Sequence, residues 1–117
     1  MNESINEQIR QLSAFKGLSE ESIKEIESKA EAIQFDVGQP LSVLNLIPSK
    51  IIFITNGSAR IFAKYQEKFV PIGKLIKDDA VGLISLLRAN GCEEVSCIEP
   101  IKAISISDNL VLKLYQE

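Results

Sequence analysis

The sequence contains neither histidine nor tryptophan. Without histidine, Ser-His-Asp and Cys-His nucleophile schemes are excluded, and the commonest ligand of transition metals is missing. Five phenylalanines and two tyrosines are the only aromatic residues, too few to suggest a platform on which bases stack. We therefore expect no catalytic residue, no metal site and no enzymatic activity in the chain itself.

Two further shortages concern positive charge and apolar length. The net charge of -3 argues against nucleic acid or an anionic membrane as the main partner. No apolar run approaches the ~18 residues that a membrane span needs, and no signal peptide precedes the first predicted helix. We expect a cytoplasmic chain with no direct membrane insertion. Its 117 residues predict a single domain over residues 1–117.

The chain has only two cysteines, Cys92 and Cys97. Because they stand five residues apart, an extended segment would place their side chains on opposite faces, where they cannot pair with each other. We therefore predict two free thiols in a reducing compartment, in preference to a disulfide or a metal site.

Capping patterns predict two helices at the amino terminus. Ser4 followed by Glu7 is a capping box, and the apolar spacing after it predicts a helix that ends near residues 15–17. Ser19 can cap a second helix, whose first turn carries the acidic residues 20–21.

The hydrophobic period then changes from helical to two. Ile33, Phe35 and Val37 alternate with polar residues, which predicts a half-buried strand. Residues 41–47 form a second extended run.

The clearest local signal is Asn56-Gly57, which lies between the β-rich residues 51–55 and 58–65. An Asn-Gly pair in this setting predicts a β-hairpin with a type I′ turn, because that turn needs positive φ at both central residues.

Later strands are predicted with less regular borders. Residues 68–76 are predicted to form one strand or two half-strands, and Pro71 restricts part of this segment to a sheet edge, since proline cannot donate to the ladder. Two more strands, residues 94–98 and 101–106, are predicted with a break at residues 99–100.

Residues 78–87 are the segment that most clearly indicates a ligand site. They predict a turn, a glycine at Gly82 and a very short apolar helix, followed by a loop into the strand that begins at Glu94. A short helix after a glycine turn can cradle an anion with its free N–H groups.

The last residues predict a helix that residues 107–109 cap, that begins at Leu110 and that breaks off at Glu117. We therefore expect a fragment of a larger protein, with the other domains of that protein as partners, and a homodimer stays open. Contact with those domains and packing on the remainder of the chain are both open for the apolar residues of this helix: Leu110, Val111, Leu114 and Tyr115.

Taken together, two helices, seven or eight short strands and a final helix predict a mainly β fold with flanking helices, as in a double-stranded β-helix or jelly roll. A five-stranded barrel or a sandwich fits the same periodicity almost as well.

The chain resembles the cyclic nucleotide-binding domain, the β-roll of cAMP receptor proteins and kinase regulatory subunits. Residues 15–19, Phe-Lys-Gly-Leu-Ser, resemble the start of its leading helix. Residues 38–41 resemble its Gly-Glu-x-Ile turn, and residues 52–62 its Tyr-x-Ile-x-x-Gly-x-Val-x-Val-Tyr segment. Residues 73–82 resemble the approach to its phosphate cassette.

The resemblance implies a ligand site and also shows what that site lacks. The family cassette reads Gly-Glu-x-Ala-Leu and then Arg-x-Ala-Thr-Val, with the Glu on the ribose and the Arg on the phosphate. Leu83 stands in place of the Glu, and Gly91 or Cys92 in place of the Arg. Losing both contacts costs ~1.5–3 kcal/mol each, on the order of a hundred- to ten-thousandfold in affinity.

No cofactor is expected, and cAMP or cGMP is disfavoured as a ligand. The backbone N–H groups after Gly82 can still attract an anion, and Arg88 can substitute for the missing arginine. The candidate ligand-binding residues of this degenerate cassette are Gly82, Leu83, Ile84, Ser85, Arg88, Cys92 and Glu93. We expect the apolar members Leu83 and Ile84, together with Leu87, to fill the roll.

These features predict a non-catalytic regulatory or interaction module of a larger bacterial protein. Residues 73–76 and 93–96 are similar to the amino-terminal modules of some bacterial secretion ABC exporters, which suggests a transport ATPase as the parent. The alternative is a working sensor of a cyclic nucleotide or another small anion through a non-standard contact set. A cupin-like enzyme on a similar roll would need the histidines that are absent.

Overall fold

The structure is a computed structural model that describes residues 4–43, 45–87 and 94–114. Its helical elements are α1 (Ile5–Gln11), a 3₁₀ turn (Ser13–Phe15), α2 (Glu20–Lys29), α3 (Leu83–Leu87) and α4 (Asp108–Leu114). Its strands are β1 (Glu31–Phe35), β2 (Pro40–Ser42), β3 (Lys50–Tyr65), β4 (Lys68–Leu75), β5 (Ala80–Val81) and β6 (Glu94–Ser107).

Two long antiparallel strands, β3 and β6, organise the β-structure. The first half of β3 pairs with the second half of β6, and β1 and β5 flank that part of the ladder. The second half of β3 pairs with the first half of β6, and β4 and β2 flank that part. The two halves form a roll, so the prediction of a mainly β fold with flanking helices is confirmed.

The predicted hairpin at Asn56-Gly57 is wrong. Both residues lie inside β3, which runs on from Lys50 to Tyr65 and pairs with β6 on either side of them. The register shifts at these positions, and Gly57 has a φ of +92°. A Cβ at Gly57 would lie 2.2 Å from the carbonyl oxygen of Pro100. The pair therefore marks the bulged corner at which β3 passes from one half of the roll to the other.

The type I′ geometry occurs ten residues later in the chain. Gln66 and Glu67 both have positive φ, 50° and 67°, and they join Tyr65 to its cross-strand partner Lys68. Two such residues between antiparallel strands form the two-residue hairpin turn. Neither is glycine or asparagine, so the turn carries no local sequence signal.

Several borders also differ from the predictions. Helix α1 ends at Gln11 and a separate 3₁₀ turn follows it, whereas one helix was expected to reach residues 15–17. Val37 lies in the turn before β2 and is 63% exposed, so it does not continue the alternation of β1. Within the predicted run over residues 41–47, Leu41 and Ser42 belong to β2, and the other described residues, Val43 and residues 45–47, lie outside the strands.

The strand break at residues 99–100 is wrong as well, because β6 continues through them. Pro100 sits beside Gly57 at the corner of the roll, where the ladder with β3 is irregular and a missing N–H does little harm. The prediction for β4 is confirmed, since in the described part of the chain it pairs with β3 alone and lies at the sheet edge.

The predicted helix caps are confirmed. The hydroxyl of Ser4 accepts a hydrogen bond from the Glu7 backbone N–H at 3.2 Å, and that of Ser19 accepts from the Ser22 backbone N–H at 3.1 Å. The hydroxyl of Ser107 accepts from the N–H in the first turn of α4 at 3.3 Å.

Two apolar clusters lie on opposite faces of the long strands. On the outer face, Ile51 and Phe53 of β3 pack against the helices, together with Ile104 and Ile106 of β6. On the inner face, alternate residues of the same strands fill the roll. Because neighbouring strand residues point to opposite faces, one uninterrupted apolar run serves both clusters.

Helix α4 packs on the outer cluster. Leu110, Val111 and Leu114 are 4%, 2% and 8% exposed, so this chain already covers them. The open choice between interdomain contact and internal packing is thereby decided for these three residues. Tyr115 lies outside the described residues.

Candidate functional site

Gly82 opens the short helix of the cassette in a conformation that suits glycine. Its φ is +95°, and an added Cβ would lie 2.9 Å from Cγ of Pro48 and 3.3 Å from Cδ1 of Ile51. The Leu86 N–H donates to the Gly82 carbonyl at 3.0 Å, which closes the first turn of α3. The predicted turn, glycine and short helix are therefore all present.

Leu83 and Leu87 of α3 were expected to fill the roll, and neither does. Leu83 packs against the outer cluster beside the helices, as does Leu86. Leu87 is 48% exposed, so the expectation that it fills the roll is wrong. Among the α3 side chains that the structure describes, Ser85 has no exposed surface. Since the five residues of α3 make only about 1.4 turns, a helix this short can bury only part of its surface, and Leu83 and Leu86 lie on the helical side.

The structure describes some of the seven candidate residues and not others. Arg88, Cys92 and Glu93 lie outside the described residues, and so does the side chain of Ile84. The structure describes Gly82, Leu83, Ser85 and the strands that line the roll. A ligand inside the roll would therefore contact the side chains of those strands.

That interior is apolar. Fully or largely buried side chains from β3, β5 and β6 fill it: Ile52, Ile54, Ala59, Val81, Val95, Cys97, Ile101 and Ala103. Half-buried residues of β1, β2, β3 and β4 close its rim: Ile33, Phe35, Leu41, Ile61 and Leu75. Among the described residues, the only buried polar side chains are serines, and no charged side chain is buried.

One of these serines bridges the corner of the roll. The Ser58 hydroxyl donates to Oε1 of Glu99, whose side chain is 64% exposed. The same carboxylate lies 3.9 Å from Nζ of Lys74. This exposed carboxylate adds negative charge at the rim of the roll, where an anionic ligand would be repelled.

Cys97 is a free thiol, as predicted, and the structure shows that it is buried. It is 2% exposed, and its Sγ lies 2.9 Å from the Glu99 carbonyl oxygen. Burial raises the pKa of the Cys97 thiol, so the neutral form is favoured and the group is a poor nucleophile. Cys92, the other cysteine that was predicted to be a free thiol, lies outside the described residues.

The turn before the cassette ties the roll to the helical layer, a link that the sequence did not reveal. Oδ1 of Asp78 accepts a hydrogen bond from the Ser13 backbone N–H at 2.8 Å. The Asp78 N–H donates to the Ile54 carbonyl at 2.8 Å, and the Asp79 carbonyl accepts from the Ile54 N–H at 3.0 Å. Hydrogen bonds from the Ser13 hydroxyl and N–H hold the pKa of Asp78 below its ordinary value.

This link predicts a pH dependence of stability. Because the folded pKa of Asp78 is lowered, its contribution is complete above the unfolded value near 3.8 and is lost as the pH falls through the folded value. We expect Asp78→Asn to flatten the decline of the unfolding free energy below pH ~4. Urea titrations followed by circular dichroism at several pH values measure this slope.

A matched variant removes the donor instead of the acceptor. Ser13→Pro deletes the N–H and the hydroxyl while Asp78 stays in place, and it should flatten the same part of the profile. An acid decline that is as steep in both variants as in the parent chain would show that this link contributes nothing.

An open cleft lies away from the cassette. It has a volume of about 720 Å³ and is formed by α1, β1, β3, β6 and the turn at Asp78. Its lining is mostly polar and includes Gln11, Gln34, Asn56 and Lys102, and no residue of α3 lines it. No group of three potential metal-ligating side chains occurs in the described parts of the chain.

Comparison with solved structures identifies the fold. The regulatory domain of Toxoplasma gondii PKA with cAMP matches with a TM-score of 0.85 at 12% identity, over 94% of this chain and 43% of that one. The regulatory subunit of a cAMP-independent protein kinase A from Trypanosoma cruzi, bound to guanosine, matches with a TM-score of 0.86 at 9% identity, over 94% and 40%. This chain has the cyclic nucleotide-binding fold.

A third match with the same fold covers a protein of similar length. A cyclic nucleotide-binding-like protein from Brucella abortus gives a TM-score of 0.73 at 17% identity, over 96% of this chain and 97% of that one. The fold expected from the resemblance is therefore confirmed, in preference to a five-stranded barrel or a sandwich.

The likeness at these identities concerns the fold alone. No family model matches the sequence, and no curated protein matches it. The chain spans less than half the length of the two kinase regulatory structures. In the parts of the chain that are described, none of the helices has the length and hydropathy to cross a membrane.

Proposed function

We propose that this chain is a non-catalytic regulatory or interaction module of a larger bacterial protein, built on the cyclic nucleotide-binding fold without a working nucleotide site. The observation that carries the proposal is the interior of the roll. It is filled by aliphatic side chains, and its buried polar groups among the described residues are serines.

A cyclic nucleotide carries a negative charge on its phosphate. Burying that charge without a paired cation costs several kcal/mol, because the desolvation penalty is not repaid. Among the described residues no charged side chain is buried to pair with such a phosphate, and the cations Arg60 and Lys74 are exposed on β3 and β4. The position of the ribose-binding acid is held by Leu83, which packs against the helical side.

The wider setting belongs to the same proposal. The partners are other domains of the parent protein, in a cytoplasmic location, and no cofactor is required. The similarity of residues 73–76 and 93–96 to exporter modules favours a secretion ATPase as the parent. Helix α4 leads toward the end of the chain from a well-packed position, so it is a suitable lever between this module and a following domain.

A second function is supported by one neighbour of the same fold. The Trypanosoma cruzi subunit is bound to guanosine, a neutral nucleoside that needs no phosphate-binding arginine. The alternative is therefore a sensor of a nucleoside, a cyclic nucleotide or another small anion through a non-standard contact set, with Arg88 as its cation.

Isothermal titration calorimetry with cAMP, cGMP and guanosine separates these functions. We expect no binding tighter than ~10 μM, which corresponds to about -7 kcal/mol. Tighter binding of a cyclic nucleotide that Arg88→Ala abolishes would overturn the proposal in favour of the anion sensor. Tighter binding of guanosine that Arg88→Ala leaves intact would favour a nucleoside sensor.

A further inference from the structure

The polar cleft beside α1 has the size of a small-molecule site. Its volume of about 720 Å³ lies within the range of about 300–1,000 Å³ that is typical of such sites. Residues of α1, β1, β3, β6 and the turn at Asp78 line it. Because no residue of α3 takes part, a ligand in this cleft would be independent of the cassette.

The floor of the cleft is the outer face of the sheet. On this face, Phe53 and Ile104 pack against the helices, and the next residues outward are Thr55 of β3 and Lys102 of β6. Gln34 of β1 pairs directly with Lys102 and therefore shares its face. The outer face thus changes along the strands from buried and apolar to accessible and polar.

The bulge at the corner of the roll adds a second polar residue of β3 to this floor. Ile54 pairs with Ala103 and Asn56 pairs with Lys102, so Thr55 is the extra residue between them. The Thr55 hydroxyl donates to the Lys102 carbonyl oxygen at 2.9 Å. Its own oxygen can still accept a hydrogen bond from a ligand.

The walls of the cleft come from α1 and from the turn before the cassette. Gln8 and Gln11 stand three residues apart, so they project from one side of α1. The turn contributes Lys77 and Asp78. Because Oδ1 of Asp78 accepts a hydrogen bond from the Ser13 N–H just beyond α1, at 2.8 Å, the two walls are joined. The cleft is therefore formed without a ligand, which reduces the cost of binding one.

Carboxamide side chains are concentrated in this cleft. Four of the twelve asparagines and glutamines in the chain line it: Gln8, Gln11, Gln34 and Asn56. Each carboxamide offers two donors and an acceptor, which matches the donor and acceptor of a hydroxyl group. Within the described residues, no hydrogen bond engages the side chains of Gln11, Gln34 and Asn56. These three groups are therefore available to a ligand.

The lining is positive although the chain is acidic. It holds two lysines, Lys77 and Lys102, against one acidic residue, Asp78, which gives +1, whereas the whole chain carries -3. The Asp78 carboxylate is already engaged by Ser13, and Lys102 has no ion pair with any described residue. The cleft therefore favours an anionic group.

The same lining argues against two other classes of ligand. None of its described side chains is aromatic, so a base has nothing on which to stack. It offers a single carboxylate, and no group of three metal-ligating side chains occurs among the described residues. Hydroxyl groups and a negative charge are the features that the lining fits.

We propose that this cleft binds a small polyhydroxylated anion, a monosaccharide that carries a phosphate or a carboxylate. The anionic group meets Lys77 and Lys102, and the hydroxyl groups meet the carboxamides of Gln11, Gln34 and Asn56. This function goes beyond the proposed interaction module, because it places a ligand outside the roll. It does not depend on how the interior of the roll behaves toward nucleotides.

Isothermal titration calorimetry with the 117-residue chain tests the proposal. The probes are glucose 6-phosphate, ribose 5-phosphate and glucuronate, and the comparison compounds are glucose and inorganic phosphate. We expect a Kd below about 1 mM for at least one of the sugar anions. Glucose and inorganic phosphate each present only part of the matching groups, so they should bind at least about tenfold more weakly.

Single substitutions assign the binding to the cleft. Lys102→Ala should raise the Kd of the sugar anion about threefold to fivefold, because it removes an exposed charge contact. Gln34→Ala should weaken the sugar anion and leave the affinity for inorganic phosphate unchanged. The matched control, Lys68→Ala, removes an exposed lysine of β4 that has no ion pair with the described residues, and it should leave the Kd within about twofold. Circular dichroism confirms that each variant is folded.

Four results would overturn the proposal. They are a Kd above about 1 mM for all three sugar anions, and equal loss of binding in Lys68→Ala and Lys102→Ala, which would mean that only net charge matters. Inorganic phosphate that binds as tightly as the sugar phosphates would mean an adventitious ion only. Binding that Arg88→Ala abolishes and Lys102→Ala leaves intact would place the ligand at the cassette and favour the anion sensor. Failure of this proposal is therefore distinguishable from failure of the proposed function.

Discussion

Replacing Gly57 by alanine should lower the free energy of unfolding by about 2–5 kcal/mol. Two costs combine at this position. The φ of +92° puts an alanine in the left-handed region, at ~1–2 kcal/mol, and the new methyl would lie 2.2 Å from the Pro100 carbonyl oxygen. Relieving that overlap requires the two long strands to move apart at the corner, and overpacking of this kind adds ~1–3 kcal/mol.

Gly38 provides the matched control. Its φ is +89°, but an added Cβ would meet nothing within 4 Å. Gly38→Ala should therefore show the conformational cost alone, about 1–2 kcal/mol. Urea denaturation followed by circular dichroism suits a chain without tryptophan. Equal losses in the two variants would mean that the close approach of β3 and β6 does not constrain the fold.

The corner at Gly57 also shows which structural features local sequence patterns cannot predict. The caps at Ser4 and Ser19 were predictable because each depends on a hydrogen bond to a residue three positions away. Asn56-Gly57 satisfies the local rule for a hairpin equally well. What decides its conformation is the carbonyl of Pro100, which is more than forty residues distant in the chain.

The hairpin turn that does form, at Gln66 and Glu67, carries no sequence signal that predicts it. Gln66 and Glu67 adopt the left-handed conformation that favours glycine or asparagine, although neither is a residue of that kind. The antiparallel pairing of Tyr65 with Lys68 and of the pairs behind it imposes the turn. Here the tertiary ladder overrides the local preference of the turn residues.

The candidate site was predictable in outline and not in its contacts. The order of turn, glycine and short helix around Gly82 could be read from the sequence. The side to which α3 turns its apolar residues could not, because five residues carry too little periodicity to define a face. The structure directs Leu83 and Leu86 to the helical side.

This orientation separates the residues that fill the roll from those that pack against the helices. The interior of the roll is closed by residues of β3, β5 and β6, so the cassette is not needed to fill it. The outer cluster joins α3 to α1, α2 and α4. A change at the cassette would therefore be felt first by the helical layer, which is the part of the chain that carries α4.

Substitutions at the contact between Phe15 and Phe53 measure how strongly the helical layer is bound to the roll. The ring centroids lie 4.9 Å apart with a tilt of 58°, a favourable geometry for aromatic pairs, and the two residues are 5% and 3% exposed. Phe53→Ala should lower the free energy of unfolding by about 3–5 kcal/mol, because it removes a fully packed ring and leaves a cavity.

Phe69→Ala is the control on the neighbouring strand of the same sheet. Its ring is 53% exposed, so truncation should change the unfolding free energy by no more than about 0.5 kcal/mol. A cycle with Phe15→Ala should show a coupling of about 0.5–1.5 kcal/mol with Phe53 and none with Phe69. Additive losses at Phe15 and Phe53 would mean that the 3₁₀ turn is held by its backbone bonds. In that case the Ser13–Asp78 link, and not the aromatic pair, would join the helical layer to the roll.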